Sequence, residues 1–160
     1  MKLTRLTDYA VVILAFLGQK PTSKDVVDSR GFRLVSTVKI ADYTGIPSPT
    51  CQKILKILTN HGLVKSVCGA RGGYALSYPP ESTNIAQIIT AMEGPIALTA
   101  CVEGDVRNGY DSESNCNMQN ICALSGNWNS VNRAVRQALE RVSLIDMTPF
   151  FDTLSKTDTA

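Results

Sequence analysis

Three cysteines in the second half of the chain have the residue type and spacing to hold a metal cofactor. Cys101, Cys116 and Cys122 lie in a polar segment rich in Asn, Ser, Gly and Asp, with fourteen and then five residues between them. Thiolates bind iron–sulfur clusters, zinc and copper(I), and a loop can wrap around a cluster. Because the paired C-x2-C knuckles of zinc fingers are missing here, an iron–sulfur cluster is favoured over zinc.

A cluster or a zinc ion normally takes four protein ligands, so the fourth must come from outside the cysteine set. Asp8 is a distant candidate, and the local candidates are the carboxylates of the same segment: Glu103, Asp105, Asp111 and Glu113. Cys51 is interpreted as a small core residue and Cys68 as an exposed turn residue. His61, the only histidine, is expected to face solvent.

Charge divides the chain into two unlike halves. Residues 1–76 carry eleven Lys or Arg against four Asp or Glu, a balance of +7, whereas residues 77–160 carry five against ten, a balance of −5. A basic half suits a polyanionic partner such as double-stranded DNA. The apolar stretch 9–17 is too short to cross a membrane and has no cleavage site after it, so we expect a cytoplasmic protein without a membrane partner.

The basic half contains the pattern of a helix-turn-helix. Leu3 to Gly18 has apolar residues at helical spacing. A second helix after Ser36, with Val38, Ile40 and Ala41 on its buried side, breaks at Gly45. Ser48 and Pro49 resemble an N-cap and a first-turn proline for a third helix that ends near Asn60. The side chains expected to reach DNA from its start are Ser48, Thr50, Gln52 and Lys53. The alternative is an ordinary pair of antiparallel helices.

A hairpin is predicted directly after these helices. The apolar runs 63–67 and 74–77 flank the sequence CGARGG, so the tip is glycine-rich and cationic. Such a tip is typical of a wing, in which Arg71 and Gly72 approach the DNA backbone or a minor groove. The alternative is a hairpin turn with a solvated arginine.

The predicted fold class is therefore mostly α with a small β-hairpin wing, followed by a long dimerisation helix. The last helix is expected from Asn127 to about Met147, with a narrow apolar seam at alternating intervals of three and four: Trp128, Val131, Val135, Ala138, Val142 and Ile145. A narrow seam favours pairing with a second copy, and an intramolecular amphipathic helix is the alternative.

Five regions follow from this division of the chain. They are a DNA-binding domain at 1–80, a packing helix at 81–95, a cysteine-containing loop at 96–126, a dimerisation helix at 127–148 and a flexible tail at 149–160. With one histidine and no phosphate-binding loop, no catalytic set can be assembled, so an enzyme is not expected.

The chain resembles the IscR, NsrR and RirA group of iron–sulfur-sensing winged-helix regulators over almost its whole length. The resemblance is carried by MKLTRLTDYA, GIPSPTCQKILKILTNHGLVKS, RGGYAL, and by the cysteine loop with the helix after it. ALTACVEGD, CNMQNIC and NWNSVNRAVRQALERVSLIDM are most similar to the regulators of SUF-type cluster assembly. The resemblance implies a homodimeric repressor of cluster-assembly or iron-homeostasis genes. Thr4, before the first helix, is a further candidate for contacting DNA.

The resemblance also implies a ligand set. Cys101, Cys116 and Cys122 would hold the cluster, with 4Fe–4S favoured over 2Fe–2S. In the NsrR branch an aspartate of the first helix is the fourth ligand, and Asp8 matches it; we expect it to be donated across the dimer. The histidine that the IscR branch uses is matched by Ser125, so that route is missing. Many relatives have arginine where this chain has Cys68, which leaves minor-groove reading to Arg71.

Two functions of other classes fit parts of the same pattern. One is an iron–sulfur redox carrier, which would give the basic half no purpose. The other is a zinc-stabilised module for protein interactions. The segment KDVVDSRGFRLVS, which is longer than in most relatives, has no function assigned from its residues.

Overall fold

The computed structural model describes residues 3–99 and 127–148. Within these residues the chain forms five α-helices and one antiparallel hairpin, which confirms a mostly α fold with a small wing. The elements in chain order are α1 (Arg5–Leu17), α2 (Thr37–Thr44), α3 (Ser48–Asn60), β1 (Val64–Val67), β2 (Gly73–Leu76), α4 (Ile85–Glu93) and α5 (Asn127–Glu140). Single 3₁₀ turns occur at Pro80–Ser82 and Ile145–Met147.

Helix α1 is the centre of the core. Thr4 caps it by accepting a hydrogen bond from the Thr7 backbone N–H. Its apolar face packs against α3 and α4, and Ile13 and Leu14 are fully buried. The apolar spacing read from the sequence therefore identifies the face that the fold buries.

Helices α2 and α3 form the predicted pair. Ser36 caps α2, and Gly45 ends it in the left-handed conformation at φ 70°, where glycine has no Cβ to clash. The prediction that Val38 is buried is wrong, since 65% of this residue is exposed. It lies two residues before the buried Ile40, which places it on the opposite side of the helix.

The predicted cap of α3 is also wrong by one residue. Pro47, not Ser48, is the N-cap, and its carbonyl accepts hydrogen bonds from the N–H groups of Thr50 and Cys51. Ser48 is thus the first helical residue and Pro49 the second. The far end agrees with the prediction, because α3 ends at Asn60 and Gly62 has a φ of 73°.

The two strands pair antiparallel, with Val64 opposite Leu76 and Val67 opposite Gly73. On the other side of β2, Val35 and Tyr74 exchange two backbone hydrogen bonds of 3.0 and 2.8 Å. Val35 immediately precedes the cap of α2, so the wing is hydrogen-bonded to the start of the helix-turn-helix.

Helix α4 begins with a reciprocal capping box between Asn84 and Gln87, and packs against α1 and α3. Gly94 ends it, within the range 81–95 expected for the packing helix. The loop over residues 19–33 contains no helix.

The prediction that the last helix extends to Met147 is wrong. Helix α5 ends at Glu140, and Ser143 then pairs with Asn84 at the start of α4. The next residue, Leu144, is fully buried. A continuous helix could not give the backbone hydrogen bonds from Ile85 to Val142 and from Leu144 to Thr83. After Glu140, tertiary contacts therefore determine the backbone conformation, although the apolar spacing predicts a helix there.

Candidate nucleic-acid interface and cysteine segment

The start of α3 presents polar side chains on a rigid support. Gln52 and Lys53 are exposed, and Ser48 and Thr50 are half-buried. On the opposite side, Ile54, Leu55 and Leu58 are fully buried against the core. No side chain caps this helix end, and a helix N-terminus favours an anionic group such as a phosphate. Four candidate DNA contacts are thus held on one firmly packed element.

The wing tip can exist only with glycine at position 72. A Cβ added there would lie 2.3 Å from the Val67 carbonyl oxygen. The Gly72 N–H donates to the Gly69 carbonyl at 2.9 Å, and Gly69 has a φ of 119°. This tight turn leaves Arg71 exposed at the tip. A planar cation on a narrow, side-chain-poor turn is suited to a groove or to phosphates.

Thr4 has a structural role in addition to its predicted contact with DNA. Its N–H donates to Glu93 Oε1 at 2.7 Å, and the Thr7 hydroxyl donates to the same oxygen. The hydrogen bond from Thr7 and then those from Thr4 lower the pKa of Glu93. The end of α4 is therefore tied to the start of α1.

Asp8 lies one turn after Thr4 on α1 and is exposed. Its carboxylate forms no hydrogen bond or ion pair with any other described residue, whereas its backbone N–H donates to the Thr4 carbonyl at 3.3 Å. Across residues 3–99 and 127–148, no three His, Cys, Asp or Glu residues come together in a way that could hold a metal ion. Cys101, Cys116 and Cys122, and the four local carboxylates, lie outside the described residues.

The remaining metal-ligand types in the described chain are not placed for such a site. Cys51 is fully buried in the core, and burial raises the pKa of its thiol. Cys68 and His61 are exposed. These placements confirm the interpretations made from the sequence. The donor set of three thiolates with one free carboxylate fits an iron–sulfur cluster by its chemistry.

Asn132 connects the chain just before the three cysteines to the helix that follows them. It is a buried polar residue on α5, with 8% of its surface exposed. Its Nδ2 donates to the Ile96 carbonyl at 3.0 Å, and its Oδ1 accepts from the Leu98 N–H at 3.1 Å. The chain that enters the cysteine segment after α4 is thus fixed to the helix that leaves it.

Helix α5 leaves part of its predicted seam uncovered. The exposed fractions are 37% for Trp128, 45% for Val131 and 45% for Ile145, whereas Val135 and Val142 are half-buried. Leu139, which is not in the seam, packs on the core together with Val142.

Two residues of this region escape prediction from the sequence. Asn132 lies between apolar seam residues and resembles any polar helix residue, so no pattern indicates its burial. Glu93 lies at the end of an apolar helix, where the sequence offers no sign that it meets Thr4 and Thr7. Both make contacts over more than thirty positions of sequence.

Comparison with known proteins identifies the family to which the chain belongs. Residues 3–149 match the Rrf2 family, whose description is "Iron-dependent Transcriptional regulator". The helix-turn-helix with its wing defines a DNA-binding protein, and the chain belongs to the Rrf2 family of transcriptional regulators.

Individual relatives agree with this assignment. The transcriptional regulator NsrR of Bacillus licheniformis is 29% identical over 147 residues, which cover 92% of each protein. CymR of Bacillus subtilis is 27% identical over 152 residues, covering 95% of this chain and 93% of that protein. The solved structure of IscR from T. potens has a TM-score of 0.58 at 23% identity and covers 100% of this chain and 93% of that one.

These relatives are named as transcriptional regulators, a role without catalysis. This agrees with the expectation that the chain is not an enzyme. No helix among the described residues is long and apolar enough to span a membrane.

Proposed function

We propose that the chain is a homodimeric repressor whose affinity for operator DNA depends on an iron–sulfur cluster held by Cys101, Cys116 and Cys122. The single observation that supports it most is the occurrence of three cysteines, in one polar segment, within a chain of the Rrf2 family. The genes proposed to be controlled are those of SUF-type cluster assembly or iron homeostasis. A 4Fe–4S cluster is favoured over 2Fe–2S.

The DNA contacts are proposed to come from α3 and the wing. Lys53 and Gln52 at the start of α3 reach phosphates or base edges in the major groove, with Ser48 and Thr50 beside them. Arg71 enters the adjacent minor groove or lies along the backbone, and Gly72 permits its close approach. Thr4, at the cap of α1, is proposed as an additional backbone contact.

Asp8 is the proposed fourth ligand, from the partner subunit. Its carboxylate has no other partner in the described chain and projects from the first turn of α1. When bound, the cluster supplies a link whose integrity depends on iron supply and oxidation state. Because Glu93 ties the start of α1 to the chain that leads into the cysteine segment, a change in that segment is transmitted to the DNA-binding domain.

The dimer is proposed to form along α5. Trp128 and Val131 are apolar and exposed, and they lie on the α5 seam that favours helix pairing. Ile145, also exposed, lies beyond the end of α5 in the turn Ile145–Met147. Two recognition helices held at a set separation bind two half-sites of an operator. The change Val131→Asp should shift sedimentation to the monomer, whereas the off-seam change Gln137→Asp should leave the dimer intact.

The deciding experiment is anaerobic purification, followed by iron and sulfide analysis and a DNA-binding assay at fixed salt. The DNA is a duplex selected from random sequence by the wild-type protein, since the operator is unidentified. Replacement of Cys101, Cys116 and Cys122 by serine should abolish iron binding and change DNA affinity at least tenfold. Cys68→Ser is the matched control and should change neither. The proposal would be contradicted if the wild-type protein contained no iron and the triple variant bound DNA with unchanged affinity.

Asp8 has its own test within the same design. Asp8→Ala should alter the absorption and paramagnetic spectra of the cluster, while Asp42→Ala, on α2, should leave them as in the wild type. Wild-type spectra in the Asp8 variant would exclude this residue as a ligand without affecting the role of the cysteines.

CymR provides a second candidate function. Its solved structure is described as the global cysteine regulator of Bacillus subtilis, with a TM-score of 0.61 to this chain at 23% identity. The sequence match of 27% over 95% of this chain makes a cysteine regulator the alternative. Such a regulator would bind its DNA equally well without iron.

A further inference from the structure

A cavity of about 310 Å³ lies between the DNA-binding domain and the segment that follows α5. Its walls come from the end of α1, the loop over residues 19–33, the turn at Pro79–Glu81 and the segment Leu144–Thr148. This volume is at the lower end of the range for small-molecule sites, about 300–1,000 Å³. Gly31, Phe32 and Arg33 of the cavity wall belong to KDVVDSRGFRLVS, the segment to which no function was assigned from its residues.

Most of the cavity wall is apolar and stiff. Leu17 and Leu144 are almost fully buried, and Phe32 packs half-buried against the core. Pro21 and Pro80 also line the cavity, and the fixed φ of proline limits how far these walls can collapse. The cavity is therefore pre-formed and suited to an apolar body.

Arg33 is the buried polar group of this cavity. Only 7% of it is exposed, and its Nη1 donates to the Phe16 carbonyl at 3.3 Å and to Gln19 Oε1 at 2.8 Å. Its buried Nε has no hydrogen bond and faces Asp25 Oδ1 at 3.4 Å, and its Cζ lies 4.4 Å from the centre of the Phe16 ring. A buried N–H without a hydrogen bond is costly, so this guanidinium in the cavity wall favours an additional acceptor.

The local charge balance is positive. Asp25 lies 3.4 Å from Arg33 Nε, but its carboxylate is shared with Lys39 Nζ at the same distance. Lys20 is a second cation that lines the cavity, and it is exposed and forms no ion pair within the described chain. Glu81 is the one acidic residue of the lining, and it is exposed too.

We propose that this cavity binds a small organic carboxylate with an apolar body. The carboxylate accepts hydrogen bonds from Arg33 and is attracted by Lys20, and the body lies against Leu17, Phe32 and Leu144. Such an occupant contacts both the DNA-binding domain and the carboxyl-terminal segment. The site depends on neither the cluster nor DNA, so it is tested on the free protein.

The test is a titration of the full-length protein followed by backbone amide resonances. Hydrocinnamate and octanoate are the probes, and hydrocinnamyl alcohol and octanol are their uncharged counterparts. At least one acid should give saturable shifts at the Gly18, Gly31 and Phe32 amides. Its alcohol should bind about tenfold more weakly, since a charge-assisted hydrogen bond is lost.

Two variants assign the effect to the cavity. Lys20→Gln should weaken binding of the acid several-fold, whereas Lys24→Gln, in the same loop but outside the cavity, should not. Arg33→Lys keeps the charge but loses the planar arrangement of N–H donors, so it should weaken binding of the acid further. No saturable shift with either acid, equal binding of acid and alcohol, or unchanged binding in Lys20→Gln would each overturn the proposal.

Discussion

Helices α3 and α5 have similar lengths but opposite relations to the core. The buried side of α3 consists of apolar residues with no exposed surface, and its polar side faces outward with lysines. Helix α5 buries the polar Asn132 and leaves Trp128 and Val131 partly exposed. Helix α3 therefore presents its polar side from a fully buried apolar side, whereas α5 leaves apolar surface exposed, where we propose that a second copy binds, and uses a polar group to hold the chain that leads into the cysteine segment.

The largest expected effect concerns the buried side of α3. Leu58→Ala removes a fully buried side chain from α3 and should lower the free energy of unfolding by about 2–5 kcal/mol. Leu139→Ala, on the half-buried face of α5, should cost clearly less. Denaturant unfolding measures both. Equal losses would show that α5 is as deeply packed as α3, and the comparison would fail.

The next effect concerns charge at the surface that we propose to face DNA. Arg71→Ala should weaken DNA binding about tenfold, because one phosphate or groove contact is lost. The slope of the logarithm of affinity against the logarithm of salt concentration should become shallower by about one. Arg141→Ala, an exposed arginine just after α5, should leave affinity unchanged. Titrations of one duplex at several salt concentrations measure both. A comparable loss in the control would place DNA contacts in both halves.

An effect of similar size, on stability rather than on DNA binding, is expected from the polar anchor of α5. Asn132→Ala leaves the Ile96 carbonyl and the Leu98 N–H without their partner, at a cost of about 1–3 kcal/mol. Amide hydrogen exchange should accelerate around Leu98 and at the start of α5. Gln137→Ala, an exposed change on the same helix, provides the comparison. Unaltered exchange at Leu98 would show that another contact holds this end of the segment.

The smallest effect is a change in acid stability of the DNA-binding half. Burial alone would raise the pKa of Asp25, but hydrogen bonds from Thr22, together with Arg33 and Lys39, lower it from 3.8 to about 2. A lowered carboxyl pKa adds stability above the unfolded value, and this is lost as pH falls towards the folded one.

Asp25→Asn should therefore flatten the pH dependence of unfolding between 3.8 and about 2. Asp42→Asn, an exposed carboxylate on α2, should preserve the wild-type slope. Unfolding followed by circular dichroism across that pH range checks the difference, and identical slopes for the two variants would contradict it.

Local patterns predicted the winged helix well. The apolar spacing of α1, the break at Gly45 and the glycine-rich tip between two short apolar runs are each encoded within a few residues, so the sequence sufficed for them. The errors at Val38, at the cap of α3 and at the end of α5 have another origin. Short helices have few residues to define a face, and a helix ends where its neighbours offer better contacts.

The amino-acid sequence by itself determined the two charged halves, the order of the elements and the three cysteines that suit a metal cofactor. Only the tertiary structure decided that Glu93 holds the start of α1, that Asn132 joins the edges of the cysteine segment, and that Arg33 lines a cavity. The reason is physical: propensity and spacing act over one or two turns, whereas these contacts join residues that only the folded chain brings together.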